Sequence, residues 1–389
     1  MADNTTLNVA ALAGPVRGRR KGTLLVPPVE ARYLAALLRE AAAQDPSITF
    51  RVLADADGAA LFQGLEVIQL PGPGIWPAGW GFICSRALRR LEPDLVIAPF
   101  RLAPYLPWNV RAVLFGADML DWPLPLQAAP PPKGPQPSLK RAVVRNAIDY
   151  FGPSRAFQKR FAELFDVGFD RIAVIPPGLP EPAAVPASGP VVAPPYVVYL
   201  LNRHTREFWP AFLRFRKKHA DLLPGSLVVV GDRPFPEDGG DPEDLGPMLW
   251  LEQCPQAYLE RIFADAAVVC WPAREDYAGL DLLCALRAGA RILAVRSGAA
   301  VEWDADALAF CDPAHEPSLA RAVRMLLDES PDMAARRAAR ERRAVESLRW
   351  ADAAWKLITL LRRHAAWGAK PAPMQACPRA SHDRTRQSL

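Results

Sequence analysis

Short apolar strands alternate with amphipathic helices along two stretches of this chain, and this alternation restricts its fold more than any other feature. In the first stretch the strand-like segments are residues 23–28, ITFRVLA, LEVIQL, DLVIA and RAVLF. A second run starts at residue 196 with YVVYLL and continues through SLVVVG, MLWL and AAVVCW. Strands that alternate with helices form mostly parallel sheets covered by helices. We therefore predict an α/β protein with two doubly wound domains.

The boundary between the domains is predicted within residues 184–195, which are rich in Pro, Ala and Val without a helical or strand period. Residues 23–183 then form the first domain, 196–345 the second, and 346–367 one long amphipathic helix. Residues 1–22 are predicted to be a flexible basic N-terminus, and 368–389 a disordered polar tail. A length of 389 residues accommodates two such domains.

Charge and cysteine content narrow the cellular setting. The formal charge of +5 concentrates in residues 17–21 and 336–343, and such patches contact nucleic acid, anionic lipid or only water. The six cysteines show neither CxxC nor metal-ligand spacing, which favours a reducing cytoplasm. No apolar run approaches the roughly 18 residues that a spanning helix needs. We expect a cytoplasmic protein with at most a peripheral membrane contact.

Residues 271–303 hold the most informative local pattern, which reads WPAREDYAGLDLLCALRAGARILAVRSGAAVEW. An acidic pair precedes a glycine turn that opens an apolar helix, and a second glycine closes this helix before a buried strand. In an α/β protein this order places an acidic loop and a helix N-terminus at one end of a sheet. Free backbone N–H groups point outward there, so an anionic ligand is expected.

Several segments together resemble the family 4 retaining glycosyltransferases. The resemblance covers most of residues 23–366 and rests on the order of segments: a Ser-initiated helix and the turn VIPPGL, the progression over residues 226–271, and the opening of the last helix at 348–354. It implies the GT-B architecture, in which two Rossmann-like domains face each other across a cleft and the C-terminal helix crosses back to the first domain.

The resemblance assigns the donor site largely to residues 271–303. The first acid of the family signature is Glu275 or Asp276, the glycine turn is Ala278-Gly279-Leu280, and Cys284 stands at the position of the second acid. A carboxylate accepts hydrogen bonds from sugar hydroxyls, and amides at a helix start hold a diphosphate or its sugar. The second acid implies a contact to the donor ribose, for which a thiol is a weak acceptor.

The segment YLLNRHTREFW supplies Arg203 and Arg206 where the family has an Arg and a Lys that reach the donor phosphates, although Leu201 replaces an expected glycine. Two guanidiniums can clamp a diphosphate and neutralise the charge on the leaving nucleotide. A pair of solvated loop arginines is the alternative. His204 lies in the same loop, and we expect it to be exposed.

On the first domain, the family's His-Asp pair becomes Ala117-Asp118. Asp118 is the candidate for orienting a sugar hydroxyl or acting as base, with Asp121 as a substitute. A structural aspartate that caps the following turn is the alternative.

Three weaker candidates follow strands of the second domain. Gly231 ends a strand, where a turn is the simpler explanation, and Cys254 follows MLWL, where the family offers backbone groups to the base. Glu302 matches a common family glutamate after the strand at 291–295, and as an N-terminal helix cap it needs no ligand.

The resemblance implies a hexosyltransferase, with mannosyl transfer as one option, that moves a sugar with retention. The donor is a UDP- or GDP-linked nucleotide sugar, and the acceptor is a hydroxyl of a saccharide or a lipid-linked molecule. Arginines and a helix N-terminus replace a metal, so neither metal nor cofactor is expected beside the nucleotide-sugar co-substrate. We further expect a role in bacterial polysaccharide biosynthesis in the cytoplasm, a peripheral contact with the inner membrane, and no nucleic-acid partner.

Departures at Ala117, Leu201 and Cys284 each weaken a different part of the implied site. Their joint occurrence motivates an alternative of another class, a catalytically degenerate glycosyltransferase-like protein that binds or scaffolds.

Overall fold

Two parallel sheets form the framework of the computed structural model, which describes residues 6–13, 29–71, 77–107, 109–117, 137–179, 191–202, 204–223, 225–231, 246–251, 254, 256–296, 298–303 and 308–366. The strands of the first sheet are, in chain order, β1 (Leu7–Leu12), β2 (Ile48–Ala54), β3 (Glu66–Gln69), β4 (Leu95–Pro99), β5 (Ala112–Phe115), β6 (Ala147–Gly152) and β7 (Ile172–Val174). All neighbours run parallel in the order β3-β2-β1-β4-β5-β6-β7.

The second sheet has the same doubly wound design. Its strands are β8 (Tyr196–Leu201), β9 (Ser226–Gly231), β10 (Met248–Leu251), β11 (Val268–Trp271), β12 (Ile292–Ala294) and β13 (Leu308–Phe310). They run parallel in the order β10-β9-β8-β11-β12-β13. All six residues of β8 are buried, because helices cover both faces of the sheet. The predicted fold class, two Rossmann-like domains, is confirmed.

Helices cover both faces of each sheet. Those that follow first-domain strands are α1 (Val29–Gln44), α2 (Ala56–Ala59), α3 (Pro77–Leu91), α4 (Pro137–Asn146) and α5 (Arg155–Phe165). Those of the second half are α6 (Trp209–Lys218), α7 (Gln256–Asp265), α8 (Leu280–Ala288), α9 (Ala299–Glu302), α10 (Glu316–Leu327) and α11 (Pro331–Glu346), followed by α12 (Trp350–Ala366). Side chains alternate along a strand, so Val9 packs with α1 on one face while Ala10 packs with α3 on the other.

The C-terminal helix α12 crosses back to the first domain, as predicted. It packs along α1, where the rings of Tyr33 and Trp350 lie 5.9 Å apart. At the other end of α1, Arg362 binds Asp45 at 2.8 Å. A Cβ at Gly178 would lie 2.0 Å from the Trp350 backbone nitrogen, so only glycine permits this crossing.

The predicted start of this helix at residue 346 is wrong. Residue 346 ends α11, and α12 begins at Trp350. The break has a physical reason, since the Leu348 carbonyl accepts a hydrogen bond from the Leu179 amide at 3.1 Å and so pairs with the connection between the domains.

The prediction of a flexible N-terminus over residues 1–22 is wrong for Leu7–Leu12. This segment is β1, which lies between β2 and β4 inside the first sheet. Its alanines have low strand propensity, but burial on both faces of a central strand outweighs propensity. The strand predicted at 23–28 lies outside the described residues, as do residues 184–190 of the predicted linker and the predicted tail. Within the described parts of the chain, no helix is long and apolar enough to cross a membrane.

Candidate functional site

The loop between β11 and α8 lies where the two domains meet. Tyr277 donates its backbone N–H to the carbonyl oxygen of Ala117 at 2.9 Å, and Ala117 follows β5 at the carboxyl edge of the first sheet. The Tyr277 ring packs edge-on against Phe157 of α5, with ring centroids 5.8 Å apart. Residues 272–279 therefore bring the carboxyl edge of the second sheet against that of the first, which is the usual place for a ligand site in such sheets.

Asp276 closes this loop from within. Its side chain is 1% exposed, and Oδ1 accepts hydrogen bonds from the amides of Ala278 at 3.1 Å and Gly279 at 2.9 Å. Its backbone carbonyl accepts from the Ala299 amide at 2.7 Å. The anion at the start of α8 is therefore the protein's own Asp276 carboxylate. It occupies the amides of Ala278 and Gly279, two of the three amides predicted to bind the donor.

Glu275 faces a different environment from its neighbour. It is partly exposed and adopts φ +58°, a left-handed conformation that costs a non-glycine residue about 1 kcal/mol. Its Oε2 accepts a hydrogen bond from the Tyr277 hydroxyl at 2.9 Å. Burial and then the nearby Glu275 carboxylate raise the pKa of Tyr277 well above its usual value, so the phenol remains a donor. The bonds of the two following residues hold Glu275 in this strained conformation.

Both glycines that the sequence placed around the helix are helix caps. Gly279 has φ +58° before α8, and Gly289 has φ +75° after it. A Cβ at Gly279 would lie 2.5 Å from the Ala299 Cβ, so close packing as well as backbone conformation requires glycine. On either side of Gly279, Ala278 and Leu280 pack against the hydrophobic core of the first domain.

Cys284 does not offer its thiol to an open site. It is 5% exposed within the core of the second domain, and burial followed by the Asp281 charge raises its pKa to about 12. A neutral, buried thiol is a poor substitute for a carboxylate that binds ribose. Cys284 therefore packs in the core of the second domain, and its contact with the donor stays a prediction.

One turn before Cys284, Asp281 pairs with Arg32 of the first domain. The two side chains form a bidentate ion pair with Nη1–Oδ1 at 2.8 Å and Nη2–Oδ2 at 2.9 Å. Burial alone would raise the pKa of Asp281, but the Arg32 charge and hydrogen bond bring it below its usual value. The same pairing raises the pKa of Arg32 against the opposing effect of burial. Neither residue was predicted from the sequence.

The loop after β8 approaches the same place. His204 is buried, and its Nδ1 lies 3.1 Å from the carbonyl oxygen of Arg274, whose amide donates back to the His204 carbonyl. A carbonyl only accepts, so Nδ1 carries the hydrogen in this arrangement. The expectation that His204 is exposed is wrong, because its ring joins the loops after β8 and β11. When protonated, His204 also contributes to the lowered pKa of Asp281.

Of the two arginines of this loop, Arg206 lies within the described residues. Arg206 begins the short helix Arg206–Phe208, is partly exposed, and donates its amide to the Asn202 carbonyl at 3.0 Å. Arg203 lies outside the described residues. Leu201, at the position of the family glycine, is buried at the end of β8.

The remaining second-domain candidates have structural explanations. Gly231 ends β9 with φ +125°, and a Cβ there would lie 1.9 Å from the Leu201 carbonyl oxygen. Cys254 is partly buried against the second-domain core, and burial raises its pKa to about 11. Glu302 caps a helix N-terminus, which is one of the two roles predicted for it, but the helix is α5 of the first domain. Its Oε1 and Oε2 accept from the Arg155 and Ala156 amides of α5, each at 3.3 Å.

On the first domain, Asp118 and Asp121 lie outside the described residues. The preceding Ala117 donates its amide to Glu30 Oε1 at 3.4 Å, and Glu30 Oε2 binds Arg101 at 3.0 Å in a buried ion pair. In the described parts of both domains, no group of three or more His, Cys, Asp or Glu side chains is placed to hold a metal ion.

One sequence signal could have directed attention to the missed pair. Arg32 lies in the first turn of α1, where the helix dipole favours acidic side chains. An arginine there is disfavoured by about 0.3–1 kcal/mol unless an anion compensates its charge, and Asp281 supplies one from the other domain.

Solved structures of glycosyltransferases share this architecture. The chain is similar to a glycosyltransferase from Rickettsia africae (TM-score 0.66, 12% identity, 92% of this chain and 99% of that chain covered). It is similar to WaaG, a glycosyltransferase involved in lipopolysaccharide biosynthesis (0.66, 17%, 91% and 99%). It is also similar to Anabaena HepE in complex with UDP and glucose (0.66, 15%, 92% and 99%).

No protein-family model matches the chain, and no curated protein matches it either. At these identities the likeness concerns the fold, and the protein has the GT-B fold.

Proposed function

We propose that this protein is a glycosyltransferase that moves a sugar from a nucleotide-sugar donor to an acceptor hydroxyl. The observation that carries the proposal is the meeting of the loop 272–279 and the α8 N-terminus with the carboxyl edge of the first sheet, in a GT-B fold. A structure of similar fold, Anabaena HepE, was solved with UDP and glucose. We also propose that the protein belongs to family 4 and transfers the sugar with retention at the anomeric carbon. Its proposed donor is a UDP- or GDP-linked hexose, with mannose as one option.

On the donor side, the partly exposed Glu275 accepts hydrogen bonds from sugar hydroxyls, and Arg206 with Arg203 neutralises the donor phosphates. Asp118 is the proposed first-domain base or orienting group. The arginines and the start of α8 provide the charge stabilisation, and no metal or cofactor takes part in the proposed reaction.

Asp276 sets a condition on donor binding. A phosphate that uses the amides of Ala278 and Gly279 must first displace the Asp276 carboxylate from its two hydrogen bonds. A dianionic diphosphate attracts the arginines and the helix dipole more strongly than one carboxylate does, which offsets the loss. Otherwise the donor uses amides further along the first turn of α8.

A saccharide or lipid-linked acceptor and a peripheral contact with the inner membrane form the acceptor side of the proposal. Helices α3 and α4 carry six basic side chains and no acidic ones, and both pack on the short helix Phe100–Tyr105. Phe82 is 72% exposed on α3. Basic and aromatic side chains together suit an anionic membrane surface. A role in bacterial polysaccharide biosynthesis in the cytoplasm follows from this choice of acceptor.

Calorimetry with UDP-, GDP- and dTDP-sugars tests the donor claim. We expect one donor class to bind the wild type and to bind Arg206→Ala about tenfold more weakly, as for the loss of one charge-assisted hydrogen bond. Arg214→Ala removes an exposed arginine from α6 and is the matched control, with unchanged affinity. No donor binding at millimolar concentration would refute the proposal and favour a binding or scaffold protein. NMR of the product's anomeric proton decides between retention and inversion.

A further inference from the structure

Among the described residues around the candidate site, three polar contacts join the two domains, and in each the second-domain partner comes from residues 277–302. Tyr277 donates its amide to the Ala117 carbonyl at 2.9 Å. Asp281 forms the bidentate ion pair with Arg32. Glu302 accepts hydrogen bonds from the first two amides of α5. One short segment therefore supplies both the proposed donor loop and the contacts that hold the cleft together.

We propose that Arg32, Asp281 and Glu302 form an interdomain latch that holds the two domains closed, and that donor binding and closure are coupled through residues 277–281. Arg32 is then a positioning residue, since it acts on the donor loop through Asp281. The kinetic part of this inference rests on the proposed glycosyltransferase function.

The Arg32–Asp281 pair has the geometry of an interaction that depends on closure. Its two parallel N–H···O bonds need both helix starts in one fixed orientation. The side chains are only 27% and 12% exposed, so the closed interface shields them from solvent. Removing either partner would leave the other charge poorly solvated, whereas separated domains would hydrate both. The ion pair therefore favours closure only as long as both members are present.

Glu302 adds a second contact of electrostatic character. The first amides of a helix have no partner within the helix, and in α5 Ser154 Oγ satisfies the amide of Phe157 at 3.1 Å. The Glu302 carboxylate takes the two amides before it and lies at the positive end of the helix dipole. The start of α5 is thus completed by a side chain from the opposite domain.

The donor loop is fastened to the first domain at both ends. The proposed donor residues 278–280 lie between Tyr277, bound to Ala117, and Asp281, bound to Arg32. A ligand that engages this loop acts on a segment whose position depends on closure. Linkage then requires that closure tightens donor binding by the factor by which the donor stabilises closure.

Charge reversal tests the latch in the full-length protein. We expect Arg32→Asp and Asp281→Arg each to increase the radius of gyration in small-angle X-ray scattering, and to accelerate amide hydrogen exchange at Tyr277. The double exchange should restore both values, because it rebuilds an ion pair of opposite polarity. Arg39→Asp changes the same charge on an exposed position of α1 and is the control, with wild-type behaviour. Arg32→Gln and Asp281→Asn replace any reversed variant that fails to fold.

Titration with UDP and GDP tests the coupling. We expect the single variants to bind the nucleotide about tenfold more weakly, with a matching rise in donor KM and a smaller change in kcat. Single variants with the scattering and exchange of the control would overturn the latch. Expanded variants that keep wild-type nucleotide affinity would overturn the coupling. Absence of nucleotide binding and transfer in the wild type would overturn the proposed function, while scattering would still decide whether the latch exists.

Discussion

Gly279 at the start of α8 allows a stability prediction that separates backbone conformation from packing. Substitution by alanine adds a Cβ that would lie 2.5 Å from the Ala299 Cβ, although carbon atoms normally approach to about 3.5–4.0 Å. Ala299 cannot move away freely, because its amide donates to the Asp276 carbonyl at 2.7 Å. The clash therefore falls on the loop that carries the candidate donor residues.

The expected cost has two parts. The left-handed φ of +58° costs alanine about 1 kcal/mol, and overpacking adds roughly 1–3 kcal/mol. Gly279→Ala should thus lower the free energy of unfolding by roughly 2–4 kcal/mol. Gly246 is a matched control in the same domain, because it has φ +72° and open space around the position of a Cβ. Gly246→Ala should cost only the conformational part, about 1 kcal/mol.

Urea unfolding followed by tryptophan fluorescence measures both variants, since Trp271 is fully buried in the second domain. The double variant Gly279→Ala/Ala299→Gly removes the methyl group that the new Cβ meets, and it should recover part of the packing loss. Equal costs for Gly279→Ala and Gly246→Ala would refute the packing argument. Failure of the double variant to recover would show that the strain arises elsewhere in the loop.

Three further measurements address the interface, a buried acid and the thiols. Glu302→Ala should cost about 1 kcal/mol of unfolding free energy, as for the loss of a helix cap, with Ser154→Ala as the comparison within one domain. Burial raises the pKa of Glu341 from 4.5 to about 7, so its contribution to stability is complete below pH 4.5 and is lost as the pH rises through 7. Between these limits the wild type should lose roughly 3 kcal/mol relative to Glu341→Gln in unfolding experiments. Burial raises the pKa of Cys254 to about 11 and that of Cys270 further, so at pH 8 a thiol reagent should modify native Cys254 slowly and Cys270 only after unfolding.

Local signals explain why most elements could be predicted from the sequence. Ser154 accepts from the Phe157 amide as a helix cap, and both glycines around α8 adopt left-handed conformations. The continuous apolar run of β8 indicated a strand buried on both faces. Each of these features depends on residues close in sequence. The second domain was therefore predicted more completely than the first, because the central strand β1 of the first domain is rich in alanine and was not predicted.

Long-range pairing explains what could not be predicted. Arg32 and Asp281 are 249 positions apart, and nothing in either local segment identifies the other. The buried state of His204 has the same origin, because its ring bonds to the loop after β11, which is 70 positions away. Glu302 was recognised as a cap, but the helix that it caps is determined only by the arrangement of the domains. Contacts across the cleft are set by tertiary structure, so local sequence patterns do not identify them.

The acidic pair Glu275-Asp276 shows what the structure adds to the motif. The sequence left open which of the two is the functional acid, and the two side chains have opposite surroundings. The Asp276 carboxylate accepts hydrogen bonds from two amides of its own loop. Glu275 is partly exposed and accepts a hydrogen bond from the Tyr277 hydroxyl. With Cys284 in the core, the second acid near this helix is Asp281, and it binds Arg32. Carboxylates that could have faced a ligand therefore shape the loop and join the domains, which leaves Glu275 as the side chain whose replacement should change donor binding without disturbing closure.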